Sequence, residues 1–164
     1  LHFMKSVIED QDGYRIFYYN GKPIQREADL QLMYRLTWCA STYDVNREVN
    51  NGRGPVDFKV SKGSRDKTLI EFKLASNSKL KQNMKHQVGV YEAANDTAKS
   101  IKAILYFTES EFRKVQTVLT ELGLTSRRDV VLIDACATNK PSASNVRDAE
   151  QGRLALDIES GSEE

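Results

Sequence analysis

"PVDFKVSKGSRDKTLIEFKLAS", residues 55–76, alternates apolar and polar positions on both sides of a Gly-Ser centre. A period of two marks a half-buried strand, and two such runs about a short polar turn spell a hairpin. We therefore expect two strands joined by a turn from Lys62 to Asp66. In the second strand Leu69, Glu71 and Lys73 point one way and Ile70, Phe72 and Leu74 the other. Taken alone, Glu71 and Lys73 describe a solvated strand face. The symmetry of the hairpin changes that, because Asp57 and Glu71 are equally distant from Ser64. A hairpin closing there sets the two acids face to face, with Cβ atoms about 5 Å apart. Carboxylates so placed repel and raise each other's pKa, and a divalent cation between them removes the conflict. Oxygen ligands with no His or Cys nearby point to Mg²⁺ or Mn²⁺. Lys73, one step along the same face, sits where an ammonium can orient an attacking water or neutralise phosphate charge. A register slip of one residue would send one acid to the opposite face.

Upstream, "KSVIEDQDGYRIFYYNG" reads as two strand-like runs about Asp12-Gly13, an N-terminal hairpin extension over residues 1–22. "PIQREADLQLMYRLTWCA" reads as a helix starting near Pro23, with Leu30, Met33, Tyr34 and Leu36 at helical spacing and Glu27 and Asp29 in its first turns. "TYDVNREVNNGRG" is a strand. Downstream, Ser76, Asn77 and Ser78 are good caps for a helix expected to reach about Asn95. "IKAILYF" is a strand buried on both faces, "SEFRKVQTVLTELGL" an amphipathic helix stopped at Gly123, and "DVVLIDA" a last strand. The main domain is expected over 23–136 and a polar, mobile tail over 137–164. The fold class is α/β, a mixed-sheet sandwich with an αβββαβ core, plus a further helix and strand.

At 164 residues and 40% hydrophobic content the chain is the size of one globular domain. Its net charge is +1, yet from Arg47 to Lys85 ten Lys or Arg face four Asp or Glu, so the middle third is cationic. Cys39 and Cys136 lack metal-ligand spacing and read as reduced core thiols of a cytoplasmic protein. No apolar run is long enough for a membrane span and no secretory signal is seen, so no membrane partner is expected. The chain begins at Leu1, for which we expect either added residues ahead of Met4 or a domain of a longer chain.

The sequence "GPVDF", followed thirteen residues later by "IEFK", resembles the PD-(D/E)xK nuclease superfamily, and the element order from residue 23 resembles that superfamily's core. The "PD" is spread out as Pro55, Val56, Asp57. Many members carry a further metal-binding Glu on the first core helix. Glu27 is the first choice here, with Asp29 and Glu48 as competitors. Gln87 and Tyr91 in "HQVGVYEA" resemble the QxxxY pattern of the RecB-like and lambda-exonuclease-like branch, and four residues apart they share a helix face. The spacing of Glu27, Asp57, Glu71 and Lys73 is also similar to archaeal junction resolvases, which lack the Gln and Tyr pair. The resemblance implies a metal held by Asp57, Glu71 and the Phe72 carbonyl, with Glu27 binding directly or through water. It implies that Lys73 assists the hydrolytic water and that Gln87 and Tyr91 shape the site. The reaction implied is metal-dependent hydrolysis of phosphodiester bonds.

The expected substrate is DNA, duplex or single-stranded, tracked by Arg53, Lys59, Lys62 and Arg65 on and before the hairpin and by Lys79, Lys81 and Lys85 at the start of the next helix. Each lysine alone reads as a solvated residue. His86 has no paired acid at a recognisable spacing and reads as a surface or packing residue. Two alternatives stand beside the nuclease: an inactive nucleic-acid-binding or assembly module of the same fold, and an unrelated α/β protein with a solvated strand face. A homodimer is a further expected arrangement, since duplex cutters of the superfamily often pair.

Overall fold

The structure is a computed structural model that describes residues 1–36, 43–50, 55–62, 66–85 and 99–140. It is a mixed α/β protein built on a five-stranded mixed sheet, with a two-stranded sheet beside it. The chain runs through helix α1 (His2–Asp10), a 3-10 turn (Gly13–Phe17), the short strands β1 (Tyr18–Tyr19) and β2 (Lys22–Pro23) and helix α2 (Glu27–Leu36). Strands β3 (Asp44–Asn50), β4 (Pro55–Lys62) and β5 (Asp66–Leu74) follow, then helix α3, described over 80–85. Strand β6 (Lys99–Tyr106), helix α4 (Glu109–Glu121), strand β7 (Val130–Asp134) and a 3-10 turn (Ala137–Asn139) complete it.

The main sheet has the order β3-β4-β5-β6-β7. β3, β4 and β5 form an antiparallel meander, while β6 and β7 run parallel to β5. Helices cover both faces. On one, Leu30 and Tyr34 of α2 and Met4 and Ile8 of α1 bury against Phe58, Ile70, Phe72, Leu74, Leu105 and Ile133. On the other, Leu80 and Met84 of α3 and Val115 and Leu119 of α4 enclose Ile104. Both faces of β5 and β6 are thus covered, as the apolar run in β6 requires.

The hairpin closes in the expected register, with Phe58 opposite Ile70, Val60 opposite Thr68 and Lys62 opposite Asp66. Ile70, Phe72 and Leu74 face α2, as their alternation demands. An aromatic cluster locks α2 over this hairpin. Tyr34 lies 5.1 Å from Phe58 and 4.7 Å from Phe72 between ring centroids, with the rings inclined rather than stacked flat.

The N-terminal segment departs from expectation. Residues 2–10 are helical, not a hairpin, because Met4 and Ile8, four apart, bury one stripe in the core while α1 lies along the edge strand β7. There Lys5 donates to the Leu132 carbonyl at 2.6 Å and pairs with Glu9, whose carboxylate accepts from the Asp134 amide at 2.8 Å. One helical turn satisfies two backbone groups of a strand edge that would otherwise invite another strand. The Asp12-Gly13 pair ends the helix. Asp12 is left-handed at φ 60°, and a Cβ on Gly13 would lie 2.5 Å from the Val7 carbonyl oxygen. The true hairpin turn is Asn20-Gly21, with φ of 50° and 73°, joining β1 to β2. Pro23 consequently lies in β2, and α2 starts at Glu27. Gly123, at φ 68°, closes α4 as expected.

At the C-terminal end, Asp134 accepts from Asn139 at 2.7 Å and lies 3.5 Å from Lys140, so residues 137–140 are tied to β7 and not part of a free tail. Residues 141–164, where the rest of that tail was expected, lie outside the described residues. Cys136 is a buried free thiol; Cys39 lies outside the described residues. Among the described residues no helix is long and apolar enough to cross a membrane.

Candidate active site

The site forms where β4 parts from β5. β4 stays paired with β3 down to Pro55, opposite Asn50, but its ladder with β5 ends at Phe58 and Ile70. One residue beyond that last pair come Asp57 on β4 and Glu71 on β5. Beyond this fork the β5 amides that face β4 lose their strand partners, and buried amides must find others. Two carboxylates take them. Asp57 Oδ2 accepts from the Phe72 amide at 2.6 Å, and Glu27 Oε1 accepts from the Leu74 amide at 3.3 Å. Backbone N–H and C=O of one strand residue share an edge, so the Phe72 carbonyl opens into the same fork.

Each acid has its own anchor. Glu27 opens α2, where a negative charge also suits the helix dipole, and the Tyr34 lock fixes that helix. Its Oε1 takes a second hydrogen bond from Asn77 Nδ2 at 3.0 Å. Glu71 and Lys73 lie on the face of β5 away from α2 and are 3% and 8% exposed, far from the solvated face that alternation alone suggests. Lys73 Nζ lies 3.7 Å from Glu27 Oε2 and 3.9 Å from Glu71 Oε2, so one ammonium bridges acids that come from a helix and a strand. Burial pushes the Asp57 pKa up and the Glu27 charge adds to the rise, while the Phe72 amide, Lys73 and a hydrogen bond from Gln31 pull it down.

Four expected residues, Glu27, Asp57, Glu71 and Lys73, therefore lie around one fork, Lys73 near two of the acids and Asp57 on the Phe72 amide. Asp29 does not join them; it turns outward and pairs with Arg26 at 2.7 Å. Lys79, Lys81 and Lys85 are exposed at the start of α3, Lys81 pairing with Glu121 at 2.9 Å. Lys59, half-buried, shares the face of β4 that carries Asp57, and Lys62 closes the strand opposite Asp66. Gln87, Tyr91, Arg53, Arg65 and His86 lie outside the described residues.

Sequence reasoning missed three contributors. Gln31 is one helical turn after Glu27, and that spacing of four was the available signal. Asn77 was read only as a cap. Lys102, only 3% exposed inside the apolar run of β6, stands beside Glu71 in the parallel register and lies 3.8 Å from Asp129, which Arg127 grips at 2.8 and 2.9 Å. Burial pushes the Lys102 pKa down against the pull of Asp129 and Glu71.

Among the described residues no group of three or more His, Cys, Asp or Glu is gathered closely enough to hold a metal ion. Lys73 lies near both Glu27 and Glu71, and one oxygen of Asp57 and one of Glu27 accept from backbone amides.

Comparison with known proteins gives a family and no named relative. No curated protein matches the chain. The model of a domain of unknown function, DUF8371, matches residues 1–109, a span holding α1, the whole meander, β6 and all the acids and lysines of the fork. The chain of 164 residues belongs to the DUF8371 family.

Proposed function

We propose that this chain is a metal-dependent nuclease domain of the PD-(D/E)xK type, hydrolysing phosphodiester bonds of DNA. One observation carries the reading: the fork between β4 and β5 brings Glu27, Asp57, Glu71 and Lys73 together from three elements, although 30 residues separate Glu27 from Asp57. The helix, three-strand meander, helix and parallel strand of 27–106 support it, since they follow the order of that superfamily's core.

The donors suit a hard cation in kind: three carboxylates and a backbone carbonyl, with neither nitrogen nor sulfur. Asp57, whose charge is opposed by burial and by Glu27, is a group such a cation would relieve. Asp57, Glu71 and the Phe72 carbonyl would hold Mg²⁺ or Mn²⁺, with Glu27 next to them. The ion supplies a water of lowered pKa and a counter-charge for phosphate oxygens. Lys73, 3.7 Å from Glu27 and 3.9 Å from Glu71, would present its ammonium to the attacking water or the phosphate. Lys59 beside Asp57 and the lysines opening α3 give a cationic approach for a DNA backbone.

The pairing of Lys73 with two of the acids favours a second reading, a binding or assembly module of the same fold. Plasmid, linear duplex and single-stranded DNA incubated with Mg²⁺, Mn²⁺ or EDTA separate the two, using wild type beside Asp57→Ala and Lys73→Ala. The nuclease reading expects metal-dependent cleavage that both substitutions reduce by roughly 100-fold or more. Binding of DNA without cleavage under any metal selects the module. Cleavage indifferent to both substitutions removes the site assignment.

A further inference from the structure

We propose that Asn77 is the positioning residue of this site: it fixes the Glu27 carboxylate and ties it to the first turn of α3. Every polar group of Asn77 is engaged. Its amide N–H donates to the Leu74 carbonyl at 3.0 Å, its Oδ1 accepts from the Lys79 amide at 2.8 Å, and its carbonyl accepts from Lys114 Nζ at 2.9 Å and from the Leu80 amide at 3.2 Å. Only its Nδ2 reaches into the site, donating to Glu27 Oε1 at 3.0 Å. Lys114 also binds the Ala75 carbonyl at 2.7 Å, so α4 holds the whole turn that follows β5.

These contacts determine which way Glu27 faces. The Leu74 amide and Asn77 Nδ2 both occupy Oε1, leaving Oε2 turned to Lys73 at 3.7 Å. The Leu74 contact is long, at 3.3 Å, so the shorter Asn77 contact sets the carboxylate plane. Glu27 is the acid that needs such a brace. Asp57 and Glu71 are held by adjoining strands, whereas Glu27 extends from the first turn of a helix across a tertiary gap. Partners that orient a ligating carboxylate act this way in metal sites, and their loss weakens metal binding by roughly 10- to 100-fold. Asn77 also begins the turn that carries Lys79, so a phosphate drawn to the start of α3 and the carboxylate at the metal position share one brace.

The test is Asn77→Asp. Asp keeps an oxygen for the Lys79 amide and is as good a cap, so the turn into α3 is preserved. It removes the donor to Glu27 and sets a carboxylate against it. This inference rests on the metal-dependent reading above, so two readouts are taken. In metal-free urea unfolding, Asn77→Asp lowers the midpoint, and the drop shrinks when Glu27 is also changed to Gln because two carboxylates no longer face each other. An equal drop in both backgrounds overturns the Asn77–Glu27 contact. In Mn²⁺ titration followed by electron paramagnetic resonance, Asn77→Asp weakens binding by at least tenfold relative to wild type. Unchanged Mn²⁺ binding in the variant overturns the positioning role. Absence of Mn²⁺ binding and of DNA cleavage in wild type, with the unfolding coupling intact, instead counts against the proposed function and leaves Asn77 as the brace of Glu27.

Discussion

Asp57→Asn should make the metal-free protein more stable at neutral pH, not less. Asp57 is opposed by burial and by the Glu27 charge, and the Phe72 amide, Lys73 and Gln31 do not fully compensate, so its folded-state pKa lies above the unfolded one. Ionising Asp57 therefore costs the folded state. That cost is fully present above the folded pKa and disappears below the unfolded carboxylate range, about pH 4. Asn keeps an oxygen for the Phe72 amide, now 2.6 Å away, so the fork keeps that backbone contact without a charge. The expected gain is about 1 kcal/mol, the usual scale when a strained functional residue is neutralised. For a domain of this size that is roughly 2–4 °C in melting temperature. Thermal and urea unfolding in EDTA should give the gain at pH 7 and lose most of it below about pH 4, where wild-type Asp57 carries its proton too. On the proposed metal-dependent reading, saturating Mg²⁺ should reverse the order, because a ligand at 100 times its dissociation constant adds about 2.7 kcal/mol to the form that binds it. A variant less stable than wild type at pH 7 without metal, or an advantage that does not change with pH, would refute the reasoning.

Lys102→Met should be neutral or stabilising by about 1–2 kcal/mol, because Asp129 keeps Arg127 and Glu71 keeps Lys73 when the ammonium is removed. A loss above about 3 kcal/mol in urea unfolding would mean that a buried anion had been left uncompensated. Phe72→Ala removes the ring that Tyr34 and Phe58 pack against and should cost about 3–5 kcal/mol, a large part of a typical domain's stability. If the loss is under about 1 kcal/mol by chemical unfolding, the aromatic lock is not what holds α2 over the hairpin.

The parts of the molecule that were legible in the sequence are those fixed by local periodicity. The hairpin register follows from alternation about Ser64, and α4, β6 and β7 from runs whose period and stops are internal to each segment. The fork was not legible, because it depends on three strands at once: β4 follows β3 to Pro55 while leaving β5 at Phe58. No pairwise alternation encodes where a strand parts from one neighbour and stays with the other. The roles of Asp57 and Glu27 as acceptors for the stranded amides of Phe72 and Leu74 arise only from that geometry. Lys102 was hidden for a related reason: a lysine in an apolar strand reads as the exposed position until the neighbouring strand sets Glu71 beside it.

The N-terminal segment shows the opposite failure, a true local signal assigned to the wrong structure. Asp12-Gly13 does mark a reversal, with Asp12 left-handed and Gly13 pressed against the Val7 carbonyl, but it reverses the chain out of a helix. The residues before it satisfy two periods at once. Val7 and Glu9 alternate with Ile8 as in a strand, yet Met4 and Ile8 recur at four, and so do Lys5 and Glu9. What decides between them lies far away in the chain. The open edge of β7 presents the Leu132 carbonyl and the Asp134 amide, and a helix offering a cation and an anion one turn apart meets both. A strand would meet them too, through its backbone, and would leave a new edge exposed in turn. The helix ends the sheet at β7 and buries Met4 and Ile8 against the core that holds Phe72, so the same segment that closes one side of the sheet reinforces the floor of the fork on which Glu71 and Lys73 stand.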